Sequence, residues 1–183
     1  MNLFANITPD QLGEDARPVL EHVRNAFGFI PNLTVVMALS PRSLKGYFDN
    51  LAVFGQSSFS PSEQQVVLLT SSVVSEVSYA VAVHTLMAKG AGLDESIIAA
   101  IREGRPIESS KLEALRRLTE SAARHGGRVD GATLENYLAA GWSRGQIIEI
   151  LFAIAAKEFV YRVQRLADVP LDEPLASLSG SQP

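Results

Sequence analysis

The chain has 183 residues, of which 46% are hydrophobic, 20% are charged and none is cysteine, with a formal net charge of -4. This is enough apolar material for one domain with a sizeable core. The acidic balance leaves no cationic footprint for nucleic acid, and a chain without a thiol has no sulfur nucleophile, sulfenic acid or disulfide to work with.

The opening run Met1 to Asn6 has neither a basic start nor a long apolar stretch, so no secretory signal is read and the cytoplasm is the expected compartment. Thr8-Pro9-Asp10-Gln11 has the form of a capping box with proline at the first helical position. The segment Phe27 to Ile30 lacks the flanking strand of a dinucleotide site and reads as a packed turn, within the chain or against a neighbouring subunit. Ser40-Pro41 opens another helix, and Ser60-Pro61-Ser62-Glu63 opens a third with a full capping box.

From Val66 to Val83 the chain is apolar enough to raise the question of a membrane span. It carries Ser71, Ser72, Ser75, Glu76 and Ser78, and a buried helical hairpin turning near Ser75-Glu76 fits better. A helix from about Tyr79 to Lys89 follows, ended by Gly90 and Gly92; Gly104-Arg105-Pro106 ends the next, and Gly126-Gly127 separates two more. Leu112, Leu115 and Leu118 mark one apolar face, and Ile147, Ile148, Leu151, Ile154 and Ala155 another, after a capping box at Ser143-Arg144-Gly145-Gln146 and an anchoring Trp142. No alternating strand pattern stands out, so the expectation is all-α, with about seven or eight helices. A single domain over 1–169 precedes a Pro-, Ser- and Gly-rich tail over 170–183, expected to lie extended over the surface or to be mobile.

The candidate chemistry centres on His84. Val77, Ala80 and His84 are spaced by three and four and share one side of a helix, while Gln65, in the direction of Leu68 and Leu69 on the preceding helix, is placed to approach His84. A histidine with an ordinary pKa near 6.5 suits proton transfer around neutrality, whereas a glutamine can orient but not act as a base. Tyr79 either packs or offers its hydroxyl to a pocket. Glu76 is the nearest carboxylate in sequence, or else a favourable charge at a helix N-terminus. His22 and His125 lie in unrelated segments, so no metal site is expected, and no Gly-rich phosphate loop or nucleophile elbow occurs; no cofactor is expected.

These residues carry a resemblance to the carboxymuconolactone decarboxylase and alkylhydroperoxidase D family, in particular its peroxidase-related branch. Phe27-Gly28-Phe29-Ile30-Pro31-Asn32-Leu33 is similar to that branch's opening motif. Ser40-Pro41 with Leu44 and Tyr47 resembles its next helix, Ser60 to Leu69 its capped helix, and Leu166 to Asp172 its closing motif. The peroxidase members have a CxxC pair, a histidine four residues after its second cysteine, and a glutamate on the preceding helix. Aligned on His84, the cysteine positions fall on Val77 and Ala80 and the glutamate position on Gln65. Where the family has an Asn-Tyr-x-Asn-His run, this chain has Tyr161 to Arg165, so Arg162 or Arg165 is placed either as a cation holding a carboxylate or phosphate or in a solvated ion pair.

The resemblance implies an alkylhydroperoxidase D-like helical fold and a homo-oligomer, a trimer or hexamer; charge and composition, independently of it, lead to the expectation of no nucleic-acid and no membrane partner. It implies a protein that has lost the thiol peroxidase site. One functional expectation is cofactor-independent binding or acid–base chemistry on a small organic molecule in a pocket at His84, as a lyase or isomerase, with Val77 and Ala80 as its floor. The other is a non-catalytic structural or regulatory oligomer.

Overall fold

The computed structural model describes residues 3–5 and 7–178. Among them are nine α-helices and three 3-10 helices, with no strand. Helix α1 is Arg17–Phe27, α2 Asn32–Met37, α3 Pro41–Gly55, α4 Pro61–Val74 and α5 Ser78–Gly90; α6 Glu95–Arg102, α7 Ser110–Arg124, α8 Gly131–Ala139 and α9 Arg144–Ala167 complete the set.

Local signals set the helix starts. At α4 the Ser60 amide donates to Glu63 Oε2 at 2.8 Å and the Glu63 amide donates to Ser60 Oγ at 3.4 Å, and Ser143 and Gln146 repeat the exchange at α9. Asp94, Ser109 and Asp130 cap α6, α7 and α8 more simply, each side-chain oxygen accepting from a first-turn backbone amide. The box at Thr8 yields only a 3-10 turn, Pro9–Gln11, although the Thr8 amide does donate to Gln11 Oε1 at 2.9 Å. No apolar face follows it to bury, and one hydrogen-bonded turn does not repay helix nucleation alone.

Helix α4 is the axis of the fold: every residue from Gln65 to Ser72 is buried, and α5, α6, α7 and α9 pack around it. This explains its apolar character on all sides. The apolar run is broken at Ser75-Glu76, where Glu76 takes φ 53°, so that α4 and α5 fold back on each other as a hairpin. No single helix among the described residues is long and apolar enough to cross a membrane. On one side of the hairpin, Val66, Leu69, Leu115, Leu118, Tyr137 and Ile150 form one core. Trp142 joins it as the expected anchor, stacked on Tyr137 and donating Nε1–H to the Lys111 carbonyl at 2.9 Å.

The other core cluster gathers Leu20, Leu33, Leu44, Val77, Ala80 and Tyr161. Helix α9 serves both through a face made of Ile150, Ala153, Ala156, Lys157, Val160 and Tyr161. Part of the sequence-based face was one step out of phase: Ile148 and Ala155 are exposed, while Ile147 and Ile154 pack only partly on the core. Tyr161 ties α9 to α4 by donating to Ser71 Oγ at 3.1 Å.

In place of an extended or mobile tail, the chain after Pro170 folds back. Asp172 is buried, Glu173–Leu178 form a 3-10 helix against α5, and Leu175 is 1% exposed. The remainder of that tail, residues 179–183, lies outside the described residues.

Candidate functional site

The α4–α5 hairpin brings Gln65 and His84 together, since they lie at comparable distances from its turn. His84 Nδ1 and Gln65 Oε1 are 3.1 Å apart. With the glutamine in this orientation its oxygen accepts, which places the imidazole proton on Nδ1 and leaves Nε2 as a bare acceptor. Nε2 is buried and has no hydrogen-bond partner among the described residues. Burial, reinforced by the nearby Lys157, holds the His84 pKa well below its ordinary 6.5. His84, 2% exposed, is therefore a neutral acceptor at neutral pH rather than a group poised to exchange a proton there.

A cavity of about 240 Å3 adjoins the pair, walled by α2, α3, α4, α5 and α9. Leu33, Met37, Phe48, Leu51, Val83 and Val160 make its surface largely apolar, and His84, Gln65, Tyr47 and Lys157 bring polar groups to it. Gly55 and Met87, both exposed, lie on its rim.

Lys157 is the site residue that sequence reasoning missed. It is 3% exposed, and its Nζ donates a hydrogen bond to the Tyr47 hydroxyl at 3.3 Å. The ammonium also lies over the Tyr161 and Tyr47 rings, at 5.4 and 5.9 Å from their centroids. No carboxylate among the described residues pairs with it, and burial lowers its pKa from 10.5 to about 7. Tyr47 is pushed up by its own burial and then by Tyr161, so its hydroxyl stays protonated. The signal for Lys157 was a single lysine four residues after Ala153 and three before Val160, in phase with buried positions.

The other expected site residues divide. Ala80 and Tyr79 line the cavity. The Tyr79 hydroxyl is already engaged, donating to Asp172 Oδ2 in a short hydrogen bond and accepting from the Leu33 amide at 3.4 Å. Val77 is buried in the adjoining core cluster rather than in the cavity wall. Glu76 is exposed on the hairpin turn. Arg162 is on the surface, paired with Glu158 at 3.4 Å, and Arg165 donates to the Ser75 carbonyl. Neither arginine can be the cavity cation, because both lie off the face of α9 that carries Lys157 and Val160. No cluster of three or more metal-ligating side chains occurs among the described residues.

No family model matches the sequence, and no curated protein is similar to it. Solved structures share its fold. The peroxidase-related protein from Ralstonia eutropha JMP134, an alkylhydroperoxidase AhpD core, matches with a TM-score of 0.79 at 14% identity, over 92% of this chain and 90% of its own. A peroxidase-related protein from Silicibacter sp. TM1040 gives 0.80 at 14%, covering 97% and 95%. A cysteine-to-alanine variant of the debrominase Bmp8, in complex with 2,3,4-tribromopyrrole, gives 0.80 at 15%, covering 97% of each chain.

The fold is thus the all-α alkylhydroperoxidase D type. This chain carries that fold without a cysteine, and thiol peroxidase chemistry cannot run on these 183 residues.

Proposed function

We propose that the chain binds a small organic molecule in the cavity at His84 and acts on it, where it acts, by cofactor-independent acid–base chemistry. The observation that carries this reading is the convergence of two buried ionisable side chains, His84 and Lys157, on one apolar cavity with no carboxylate among the described residues to compensate them. Burying such groups is unfavourable, and a core shaped for stability alone is better filled by apolar side chains. Around pH 7 Lys157 exchanges between donor and base, while His84 offers an acceptor and Gln65 fixes its ring.

The size supports a single-ring ligand. A cavity of about 240 Å3 exceeds the engineered cavity of about 150 Å3 that takes benzene. The debrominase of the same fold, seen with tribromopyrrole, shows a small ring compound on this scaffold. The competing reading, a non-catalytic structural or regulatory role, draws its support from the Gln65 bond that immobilises His84.

Thermal denaturation in the presence of benzyl alcohol or 2,3,4-tribromopyrrole separates the two. A ligand at about a hundred times its Kd adds about 2.7 kcal/mol and raises Tm. Ala80→Phe, which fills the cavity, is expected to abolish the rise without loss of helical circular dichroism. If neither compound moves Tm in the parent protein, the ligand reading fails and the non-catalytic one stands.

A further inference from the structure

The acid–base reading leaves the nucleophilic chemistry of the Lys157 amine unused. The chain has three other lysines, and each is ion-paired toward solvent: Lys45 with Asp49 at 2.7 Å, Lys89 with Glu95 at 2.9 Å and Lys111 with Glu63 at 3.8 Å. Of the four, Lys157 faces an apolar cavity, with a phenol hydroxyl as its hydrogen-bond partner. We propose that Lys157 is a covalent site for a small apolar aldehyde or ketone, which enters this cavity and condenses with Nζ to form an imine. The proposal rests on the ligand-binding reading and names its substrate class.

The step balances within the amine, the carbonyl compound and one neighbouring acid that lends a proton and recovers it. The Nζ lone pair forms the C–N bond while the carbonyl π pair moves to oxygen, and a proton passes from nitrogen to that oxygen to give the carbinolamine. The nitrogen pair then closes C=N as the hydroxyl takes a proton from a neighbouring acid and leaves as water, and the remaining N–H proton of the iminium returns to that acid to leave the imine; nothing is oxidised or reduced. The Tyr47 hydroxyl, 3.3 Å from Nζ and held protonated by its burial, is the nearest proton donor for that departure. The apolar walls favour the neutral amine and disfavour the water that would reverse the condensation.

The titratable groups facing Nζ are Tyr47 on α3, His84 on α5 and Tyr161 on its own helix, with no carboxylate among the described residues. With a pKa of about 7, about half of Lys157 is neutral at pH 7, whereas less than about one in a thousand ordinary lysines is. Lower basicity weakens the nucleophile, so the net expectation is a rate at least about tenfold above that of an exposed lysine.

The experiment is to incubate the folded protein at pH 7 with benzaldehyde and sodium cyanoborohydride, which reduces the imine to a stable benzylamine, and to map the adduct by mass spectrometry. The expected result is benzylation at Lys157 ahead of Lys45, Lys89 and Lys111, with the fast adduct missing in Lys157→Arg. Benzylation confined to the three exposed lysines overturns the proposal. In that case benzyl alcohol and 2,3,4-tribromopyrrole, neither of which can form an imine, distinguish the failures: a Tm rise with either leaves the binding reading standing, and no rise with both removes both.

Discussion

Lys157→Met is expected to make the protein more stable at pH 7, by about 2–3 kcal/mol, and to abolish part of its pH dependence. The amine titrates at about 7 in the fold against an ordinary 10.5, and at about 1.36 kcal/mol per unit this gap has a ceiling of about 5 kcal/mol; relaxation and the lost Tyr47 bond reduce it. The sign follows from proton counting. Between pH 7 and 10.5 the unfolded chain holds a proton that the fold has shed, so parent stability rises with pH across that window, and the full penalty applies below it. The methionine variant lacks this slope, and its advantage shrinks as pH approaches 10.

His84 acts in a lower window in both proteins. It is neutral in the fold, so stability is complete above 6.5 and is lost as pH falls below that value. Urea denaturation at pH 6, 7 and 9 reads both effects. A methionine variant that is less stable than the parent at pH 7 contradicts the account of Lys157 as a strained, uncompensated amine.

Tyr79→Phe is expected to destabilise the fold by about 1–3 kcal/mol and to release the C-terminal 3-10 helix. The phenol hydroxyl joins three parts of the chain: it donates to Asp172, accepts from Leu33 and sits on α5. Without it the buried Asp172 side chain keeps the Asn32 amide, at 3.0 Å, as a donor, and Leu175 loses the anchor that holds its segment on α5. Amide hydrogen exchange checks this directly: protection over residues 173–178 should fall before that of α4. Unchanged protection there would mean that apolar contacts of Leu175 alone retain the segment.

Much of the fold was legible because its determinants are local. The serine boxes at Ser60 and Ser143 act within four residues, and Gly90, Gly92 and Gly126-Gly127 mark helix ends. The meeting of Gln65 with His84 was legible for a related reason, since a tight turn midway between two helices brings equidistant positions together. What was lost depends on contacts distant in sequence or on helix phase. Asp172 reaches Tyr79 across 93 positions, and a Pro-, Ser- and Gly-rich composition says nothing of such a partner. The apolar run Ile147 to Ala155 suggested one face of α9, but packing on α3 and α4 selects the face carrying Ala153, Lys157 and Val160. That choice moved Arg162 and Arg165 to the surface and hid the cation among the core positions. Val77 followed the same logic, facing the core cluster while Ala80 faces the cavity.

The most direct test of a ligand site at His84 is long-range 15N NMR of the protein labelled in its three histidines, titrated with benzyl alcohol. The predicted result is a neutral His84 ring with its proton on Nδ1, whose Nε2 resonance moves with ligand while His22 and His125 stay fixed. A His84 signal that stays unmoved at saturating ligand, or that is protonated at pH 7, would contradict the account.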